Sequence, residues 1–436
     1  MMNERNRDSE QPLSEAEQAA IARFKEAVQQ GSPSAVAECL DKNSFIGRWI
    51  DEPWFSFESP AIVFAAGRGN RELADTLLDH GADPNAKSGW WAGGFGTLHH
   101  DHRELALHLI SRGAKPDMHA AAALGLLDTM AALAEEDEHA VNRRGPDGQV
   151  PLHFANSRET IDFLLDRGAD IDVRDMDHGS TPAQYAVDVP WKCAYLLERG
   201  ARPDLFMACM IGDVKLAGRL IAADPDCLRS EVGSGEFTSG ESDGGHIYLY
   251  KIGQRARPLF TAEKAGQREV TELLLSHSSP AERLMLACWR ADEQAIEALL
   301  SAHPGLAESV QPEEASLIAV AAWEDRNEAV RFMLQAGIAA DARLSEPSMT
   351  ALHRAAMRGN AGLVRLLLAH GASVETKHEY GGTALGACIW GSLHIRNPAG
   401  DYPETVRLLI AAGSRVPDRA DGSAAVADAL RRHGAK

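Results

Sequence analysis

The sequence predicts an all-α solenoid of about 12 helix-turn-helix units. The first observation behind this prediction is length, because 436 residues exceed one ordinary domain. The second is a short phrase with two apolar segments that recurs along the chain. The third is the nearly constant interval between closing glycines, which separates Gly81 from Gly113, Gly168 from Gly200, and Gly337 from Gly371. One such unit cannot bury its own apolar face, so neighbouring units must stack.

Each position in the repeated phrase has a physical role. The phrase opens with Val150–His153, Thr181–Gln184, Arg257–Phe260, Thr350–His353 and Thr383–Gly386. A threonine hydroxyl can cap the first helix, and proline at the first helical position lacks only an N–H that would have no partner there. Paired alanines let helices approach closely, and paired leucines in the second helix provide a buried seam. Glycine after that helix favours the left-handed cap.

This phrase resembles the ankyrin repeat, whose pattern T-P-L-H-x-A-A-x-x-G-H-x-E closes with G-A-D. The clearest unit starts at Thr350-Ala351-Leu352-His353 and continues to Gly371-Ala372. By inspection the resemblance covers about residues 20–435. It implies helix pairs joined by hairpin-like finger loops, and a concave groove that usually binds another protein. It also implies that His153 and His353 hydrogen-bond neighbouring backbone.

The predicted organisation is one repeat array, residues 15–436, after a disordered tail, residues 1–14. Degenerate caps are expected at about 20–42 and 421–436, and insertions interrupt the period at about 229–252 and 391–402. In the first insertion, the alternation of His-Ile-Tyr-Leu-Tyr predicts a short strand with His246, Tyr248 and Tyr250 on one side. Insertions in repeat proteins tend to collect on the functional face.

The amino-acid composition argues against several classes of protein. Lys and Arg number 44 against 63 Asp and Glu, a formal net charge of −19, so a general nucleic-acid binder is not expected. No window approaches 18 uncharged apolar residues, and the polar N-terminus has no signal-peptide pattern. Six well-separated cysteines without a CxxC predict buried thiols. We therefore expect a cytoplasmic monomer with no membrane partner, and Ala-, Gly- and Arg-rich usage favours a bacterial source.

A row of bulky apolar residues marks the C-terminal repeats. In ankyrin-like proteins the two variable residues of A-A-x-x-G face the groove. These positions hold Trp289, Trp323, Met357 and Trp390, one per repeat and in register with one another. Repeats stacked roughly 10 Å apart would extend the row over about 30 Å. The row either anchors a partner in the groove or wedges between adjacent first helices as core.

The groove interpretation predicts a protein-interaction scaffold, and the acidity favours a partner with a basic surface. Its candidate partner-binding residues are Trp289, Arg290, Trp323, Glu324, Met357, Arg358, Glu379, Tyr380, Trp390, His394, Arg396 and Tyr402.

The alternative function is an enzyme or a small-molecule or metal-binding protein whose pocket is built from insertions and fingers. Its candidate residues are Trp90, Trp91, His99, His100, Asp177, His178, His246, Tyr248 and Tyr250. This alternative requires that those side chains converge on one cavity. No nucleophile elbow, P-loop or HExxH motif is present, so the sequence predicts no catalytic residue, no resident metal and no cofactor.

Overall fold

The computed structural model describes residues 13–238, 244–343 and 348–436. Within these ranges the chain is helical and contains no strand, only two isolated antiparallel bridges. The chain divides into two compact units, Met1–Leu273 and Leu274–Lys436, with the boundary inside one helix. The prediction of an all-α helical-repeat fold is confirmed.

Most helices of unit 1 occur as pairs of one short first helix and one longer second helix. In chain order they are α1 (Glu15–Gln29), α2 (Pro33–Lys42), α3 (Ala61–Gly67), α4 (Arg71–Asp79), α5 (Arg103–Ser111), α6 (Met118–Leu124), α7 (Leu127–Glu136), α8 (Pro151–Phe154), α9 (Arg158–Asp166), α10 (Pro182–Tyr185), α11 (Pro190–Glu198), α12 (Leu205–Ile211), α13 (Val214–Ala223), α14 (Tyr248–Lys251) and α15 (Pro258–Lys264), followed by α16 (Arg268–His277) at the unit boundary.

Unit 2 continues the paired pattern to the C-terminus. Its helices are α17 (Pro280–Arg290), α18 (Glu293–Ala302), α19 (Pro312–Ala315), α20 (Leu317–Trp323), α21 (Asn327–Gln335), α22 (Ala351–Met357), α23 (Ala361–Ala369), α24 (Ala384–His394), α25 (Tyr402–Ala411) and α26 (Ala424–Arg432). Among the described residues, no helix is both long enough and apolar enough to cross a bilayer.

The helix ends follow from local chemistry. The Thr181 side chain accepts the Gln184 N–H at 3.3 Å, and the Gln184 side chain accepts the Thr181 N–H at 2.9 Å, which forms a capping box. Ser14 caps α1 in the same way with Glu17. Glycines end several helices because a left-handed residue is needed there, as at Gly125, where φ is +70°.

The core is formed by small residues on the first helices and leucines on the second. Ala65, Ala66 and Leu77 are buried, and equivalent residues are buried in later repeats. Consecutive first helices pack directly on one another, as α20 does on α22 and α22 on α24. Four of the six cysteines, Cys193, Cys209, Cys288 and Cys388, are buried free thiols, whereas Cys39 and Cys227 are only half-buried.

The N-terminal expectations need one adjustment. Residues 1–12 of the expected tail lie outside the described residues, but Ser14 is the N-cap of α1, so ordered structure begins before residue 15. The last helix, α26, lies within the range expected for the C-terminal cap.

The strand expected in the first insertion is wrong, because the segment forms the short helix α14. Tyr248 is buried, with its ring 5.5 Å from Phe206 and 5.7 Å from Phe237, and its hydroxyl donates to Asp204 at 2.8 Å. A strand would place His246, Tyr248 and Tyr250 on one side, but here the first two side chains are buried and Tyr250 is exposed. Burial of Tyr248 and closure of the helical turn override the alternating pattern.

Candidate functional site

The row of bulky residues in unit 2 lies in four different environments. Trp289 is 2% exposed and Met357 is buried, whereas Trp323 is half-buried and Trp390 is 48% exposed. The groove interpretation is therefore wrong for Trp289 and Met357, whose side chains belong to the core. Only Trp323 and Trp390 offer contact area.

Trp289 is buried by its neighbours in the next repeat. The Arg326 guanidinium lies 4.3 Å from the centre of the indole ring, and Arg326 Nη2 donates to the Trp289 carbonyl at 3.1 Å. Helix α17, which ends one residue after Trp289, packs on α21. A regular spacing along the chain fixes the position in the repeat but not the depth at which each side chain lies.

Trp323 is partly covered by two arginines from α22 and the turn after it. The guanidinium carbons of Arg354 and Arg358 lie 5.3 and 5.4 Å from the ring centre, a cation–π arrangement. Arg358 is also held by Asp325, with Nη2 and Oδ2 2.6 Å apart. The ring and the arginines therefore form one ordered amphipathic surface.

Trp390 is presented by α24, which approaches α22 very closely. A methyl group at Gly391 would overlap the Met357 carbonyl oxygen, so only glycine fits this position. The Trp390 ring stacks on His394, with ring centres 4.6 Å apart and planes inclined by 29°. Stacking fixes the orientation of the indole while leaving half of its surface exposed.

The other predicted partner-binding residues are mostly on the surface of unit 2. Arg290, Glu324, Glu379, Tyr380, His394 and Arg396 are exposed, and Arg358 is half-buried. Tyr402 is an exception: it is buried, and its hydroxyl donates to the Met357 carbonyl at 3.3 Å and accepts the Asn397 N–H at 3.1 Å. Its placement among the exposed residues was wrong, because it anchors the start of α25 to α22.

A second group of predicted residues meets in unit 1, where finger loops pack side by side. We call residues 89–96, 145–148, 175–180 and 244–250 the finger cluster. The Asp147 N–H donates to the Gly93 carbonyl at 3.2 Å, and the Met176 and Asp177 N–H groups donate to the Asp147 carbonyl at 3.2 and 3.3 Å. His178 Nδ1 donates to the Gly245 carbonyl at 2.8 Å. Each of these bonds joins one loop to another.

Glycine makes this close packing possible. Gly93 has φ of +134°, and a methyl group there would overlap the Gly145 carbonyl oxygen. Gly148 has φ of +67°, and a methyl group there would overlap the Met176 side chain. The glycine-rich finger after Trp91 is thus explained by contact with the next finger along the array.

Two carboxylates and one imidazole meet inside the finger cluster. One ligand-type atom from each of Asp147, Asp177 and His178 lies within 4.8 Å of the other two. His178 Nε2 is 3.4 Å from Asp177 Oδ2. Burial raises the pKa of Asp147 to about 6, and the negative charge of Asp177 acts in the same direction.

Asp175 stabilises the conformation of the third finger, residues 175–180. Its carboxylate accepts the Ser180 N–H at 2.6 Å, the His178 N–H at 2.8 Å and the Tyr185 hydroxyl at 3.0 Å. The backbone on both sides of His178 is therefore fixed. The imidazole is further packed against the Tyr250 ring, with centres 5.2 Å apart.

The predicted pocket residues divide into those that meet and those that do not. Trp90, Asp177, His178 and Tyr250 belong to the finger cluster; Trp90 packs edge-on against Phe57 with ring centres 4.9 Å apart. Trp91 is exposed beside Trp90. His246 and Tyr248 belong to the same segment as Tyr250, but their side chains are buried and that of Tyr250 is exposed, so the three do not line a common wall.

His99 and His100 contact the first segment of the finger cluster but are not part of the group formed by Asp147, Asp177 and His178. His99 Nδ1 accepts the Gly96 N–H at 2.8 Å and Nε2 donates to Asp117 at 2.9 Å, so both ring nitrogens have partners. His100 stacks on Phe95, and burial lowers its pKa to about 4. Neither imidazole belongs to the three-residue group that contains His178.

Sequence reasoning missed Asp147. It lies three residues before Val150, just as His178 lies three residues before Thr181, and both positions precede an opening phrase. Alignment of the fingers, rather than of the helices, would have placed Asp147 next to Asp177 and His178.

Comparisons with known proteins agree with this architecture. A model of a single ankyrin repeat matches residues 59–89 and 147–176, and a model of three ankyrin repeats matches residues 316–420. This chain contains ankyrin repeats. Ankyrin repeats are generally protein–protein interaction modules.

Among curated proteins, the ankyrin-repeat chain is similar to the E3 ubiquitin-protein ligase KEG of Arabidopsis thaliana, with 24% identity over 251 residues. That similarity covers 54% of this chain but only 15% of the length of the ligase. Among solved structures, the human ASB11 ankyrin repeat domain is similar, with 20% identity and a TM-score of 0.28, covering 69% of this chain and 99% of that domain.

Proposed function

We propose that this ankyrin-repeat protein is a scaffold that binds a protein partner through the surface around Trp323 and Trp390. We call Trp323, Arg354, Arg358, Trp390 and His394 the C-terminal face. The observation that carries the proposal is the 48% exposure of Trp390, an indole held in place by His394. In this proposal the protein acts as a cytoplasmic monomer.

The order of the C-terminal face supports binding. Contact of an exposed indole with water is unfavourable, and a partner surface that covers the ring removes this cost. Tryptophan and arginine are also enriched at binding hot spots. Stacking on His394 and cation–π contacts to Arg354 and Arg358 restrict these side chains before a partner arrives. A partner therefore meets a surface that loses little conformational entropy on binding.

Polar residues around the C-terminal face would set the register of the partner. They are Arg290, Glu324, Glu379, Tyr380 and Arg396. The net charge of −19 favours faster encounter with a partner that has a basic surface, because long-range attraction raises association rates.

The experiment compares partner capture by three full-length proteins: the wild type, W390A and W191A. Trp191 is the matched control, because it is 41% exposed but lies on α11 of unit 1. Quantitative mass spectrometry after affinity purification from the native host should show a protein retained by the wild type and W191A and lost with W390A. The purified partner should then bind W390A at least about tenfold more weakly, measured by calorimetry.

Circular dichroism should show equal folding of the three proteins. If W390A and W323A both keep the affinity of the wild type for the purified partner, the C-terminal face is not the binding surface. If W191A loses the partner while W390A retains it, the binding surface lies in unit 1.

A further inference from the structure

We infer that the finger cluster of unit 1 binds one divalent ion of the first transition row, with Zn²⁺ the preferred ion, through Asp147, Asp177 and His178. This site lies outside the C-terminal face, and the inference does not depend on the proposed function.

The distances suit a common ion. Zinc ligands lie about 2.0–2.2 Å from the metal, so two ligands of one ion are at most about 4.4 Å apart. The three donor atoms already lie within 4.8 Å of one another. Tetrahedral Zn²⁺ holds its ligand atoms roughly 3.4 Å apart, so side-chain rotations that bring the donors about 1 Å closer would close the site.

The imidazole is oriented for this role. His178 Nδ1 carries the proton, because it donates to the Gly245 carbonyl at 2.8 Å. Nε2 is therefore the ring nitrogen that is left for an ion, and it lies 3.4 Å from Asp177 Oδ2. A histidine ligand whose second nitrogen donates to a backbone carbonyl is the usual arrangement at protein metal sites.

Burial and charge also favour a cation. The side chains of His178 and Asp177 are only 13% and 11% exposed. Asp147 is half-buried and belongs to the same group as Asp177, so two carboxylates share a site that is largely removed from water. A bound dication would compensate two neighbouring carboxylates that are largely removed from water.

The chemistry of the three donor atoms limits which ion can bind. Calcium and magnesium prefer oxygen donors, whereas one imidazole with two carboxylates suits Zn²⁺, Mn²⁺ or Fe²⁺. Three protein ligands leave a coordination position for water or for a group of a bound molecule. The ion would join the second and third fingers, which carry Asp147 and the Asp177–His178 pair.

The test is calorimetric titration of full-length protein with ZnCl₂ after removal of metals by a chelator. We expect one Zn²⁺ per chain, and at least about tenfold weaker binding in D147N and in H178Q. The matched control is H80Q: His80 also lies 3.2 Å from an aspartate, Asp41, but has no third donor among the described residues, so its loss should leave zinc affinity unchanged. Titration with CaCl₂ should give markedly weaker binding.

An absorption spectrum distinguishes loss of a metal ligand from a change in the fold. Co²⁺ substituted into the wild type should give visible d–d absorption bands, which should disappear or shift in H178Q while circular dichroism stays unchanged. Absence of stoichiometric Zn²⁺ binding by the wild type would overturn the inference. So would equal zinc affinity in the wild type, D147N and H178Q, since the bound ion would then use other ligands.

Discussion

At the residue scale, two buried histidines of the repeated phrase contribute to the response of the repeats to acid. His153 Nδ1 accepts the Val150 N–H at 3.2 Å, and Nε2 donates to the Ser180 carbonyl at 3.2 Å. His353 Nδ1 accepts in the same way from Thr350 at 3.3 Å. An imidazolium ion cannot accept a hydrogen bond, so each of these histidines must be neutral in the folded state. The backbone role implied by the ankyrin resemblance is what the hydrogen bonds provide.

We predict that stability falls as the pH is lowered from 6.5. Burial lowers the pKa of His153 to about 3 and of His353 to about 4, against an ordinary value of 6.5. Between these values the unfolded chain binds more protons than the folded chain, so acid favours unfolding. At pH 5 each histidine should cost about 2 kcal/mol relative to its neutral state.

Urea unfolding at pH 7 and pH 5 measures this loss. The positive charge of Lys192 acts on His153 in the same direction as burial, and Glu379 partly opposes it at His353. H153Q should show a weaker pH dependence than the wild type. An unchanged dependence in this variant would contradict the assignment.

The different burial of Trp289 and Trp390 leads to a second prediction. W289A should lower the free energy of unfolding by about 3–5 kcal/mol, because it leaves a cavity beneath Arg326. W390A should lower it by less than about 1 kcal/mol, because half of that side chain is already in water. Urea unfolding followed by circular dichroism gives both values, and similar losses in the two variants would contradict the packing described for Trp289.

At the element scale, the sequence predicts helix positions well and their lengths less well. Threonine caps, proline starts and closing glycines are local signals, and they lie at helix ends in the structure. The segment 96–101 has the position of a first helix but forms turns. His99 accepts the Gly96 N–H and binds Asp117, so a side chain replaces the bonds that a helical turn would make. Competition of this kind depends on residues far apart in the chain.

Helix α24 offers a matched pair of glycines for a third prediction. A methyl group at Gly391 would overlap the Met357 carbonyl, whereas one at Gly386 would meet nothing within 4 Å. G391A should destabilise the protein by about 1–3 kcal/mol through overpacking. G386A should stabilise it by up to about 1 kcal/mol, because alanine has the higher helix propensity.

Thermal unfolding of the two variants and the wild type tests this pair. The melting temperature of G391A should be lower than that of the wild type and that of G386A equal or higher. The reverse order would mean that α24 does not approach α22 through Gly391.

At the scale of the whole molecule, the two units arise from one repeated phrase but carry different surfaces. Repetition made the fold predictable, because every copy repeats the same local signals. The finger cluster was only partly predictable, since Asp147 and Asp177 belong to different fingers and meet through backbone hydrogen bonds between loops. The depth of Trp289 depends on Arg326 in the next repeat, which helical periodicity does not encode.

A fourth prediction concerns cooperativity within each unit. Because repeats interact mainly with their neighbours, a destabilising substitution should lower the stability of the adjacent repeats most. G93A should destabilise unit 1 by at least about 2 kcal/mol, since residue 93 has a positive φ and faces the Gly145 carbonyl.

Native-state hydrogen exchange resolves the effect peptide by peptide. In G93A, protection should decrease first in residues 89–180, and in W289A it should decrease first in α17 and α21. Equal loss of protection throughout the chain in either variant would show that the whole array unfolds as one cooperative unit.

The buried cysteines have a practical consequence for following these events. Burial raises the pKa of Cys193, Cys288 and Cys388 to about 12, so a nucleophilic thiolate is scarce while the structure is closed. Alkylating reagents should therefore modify these sulfurs only during transient opening. Cys193 lies in unit 1 and Cys288 and Cys388 in unit 2, so the native chain carries chemical reporters of opening in both halves without an added label.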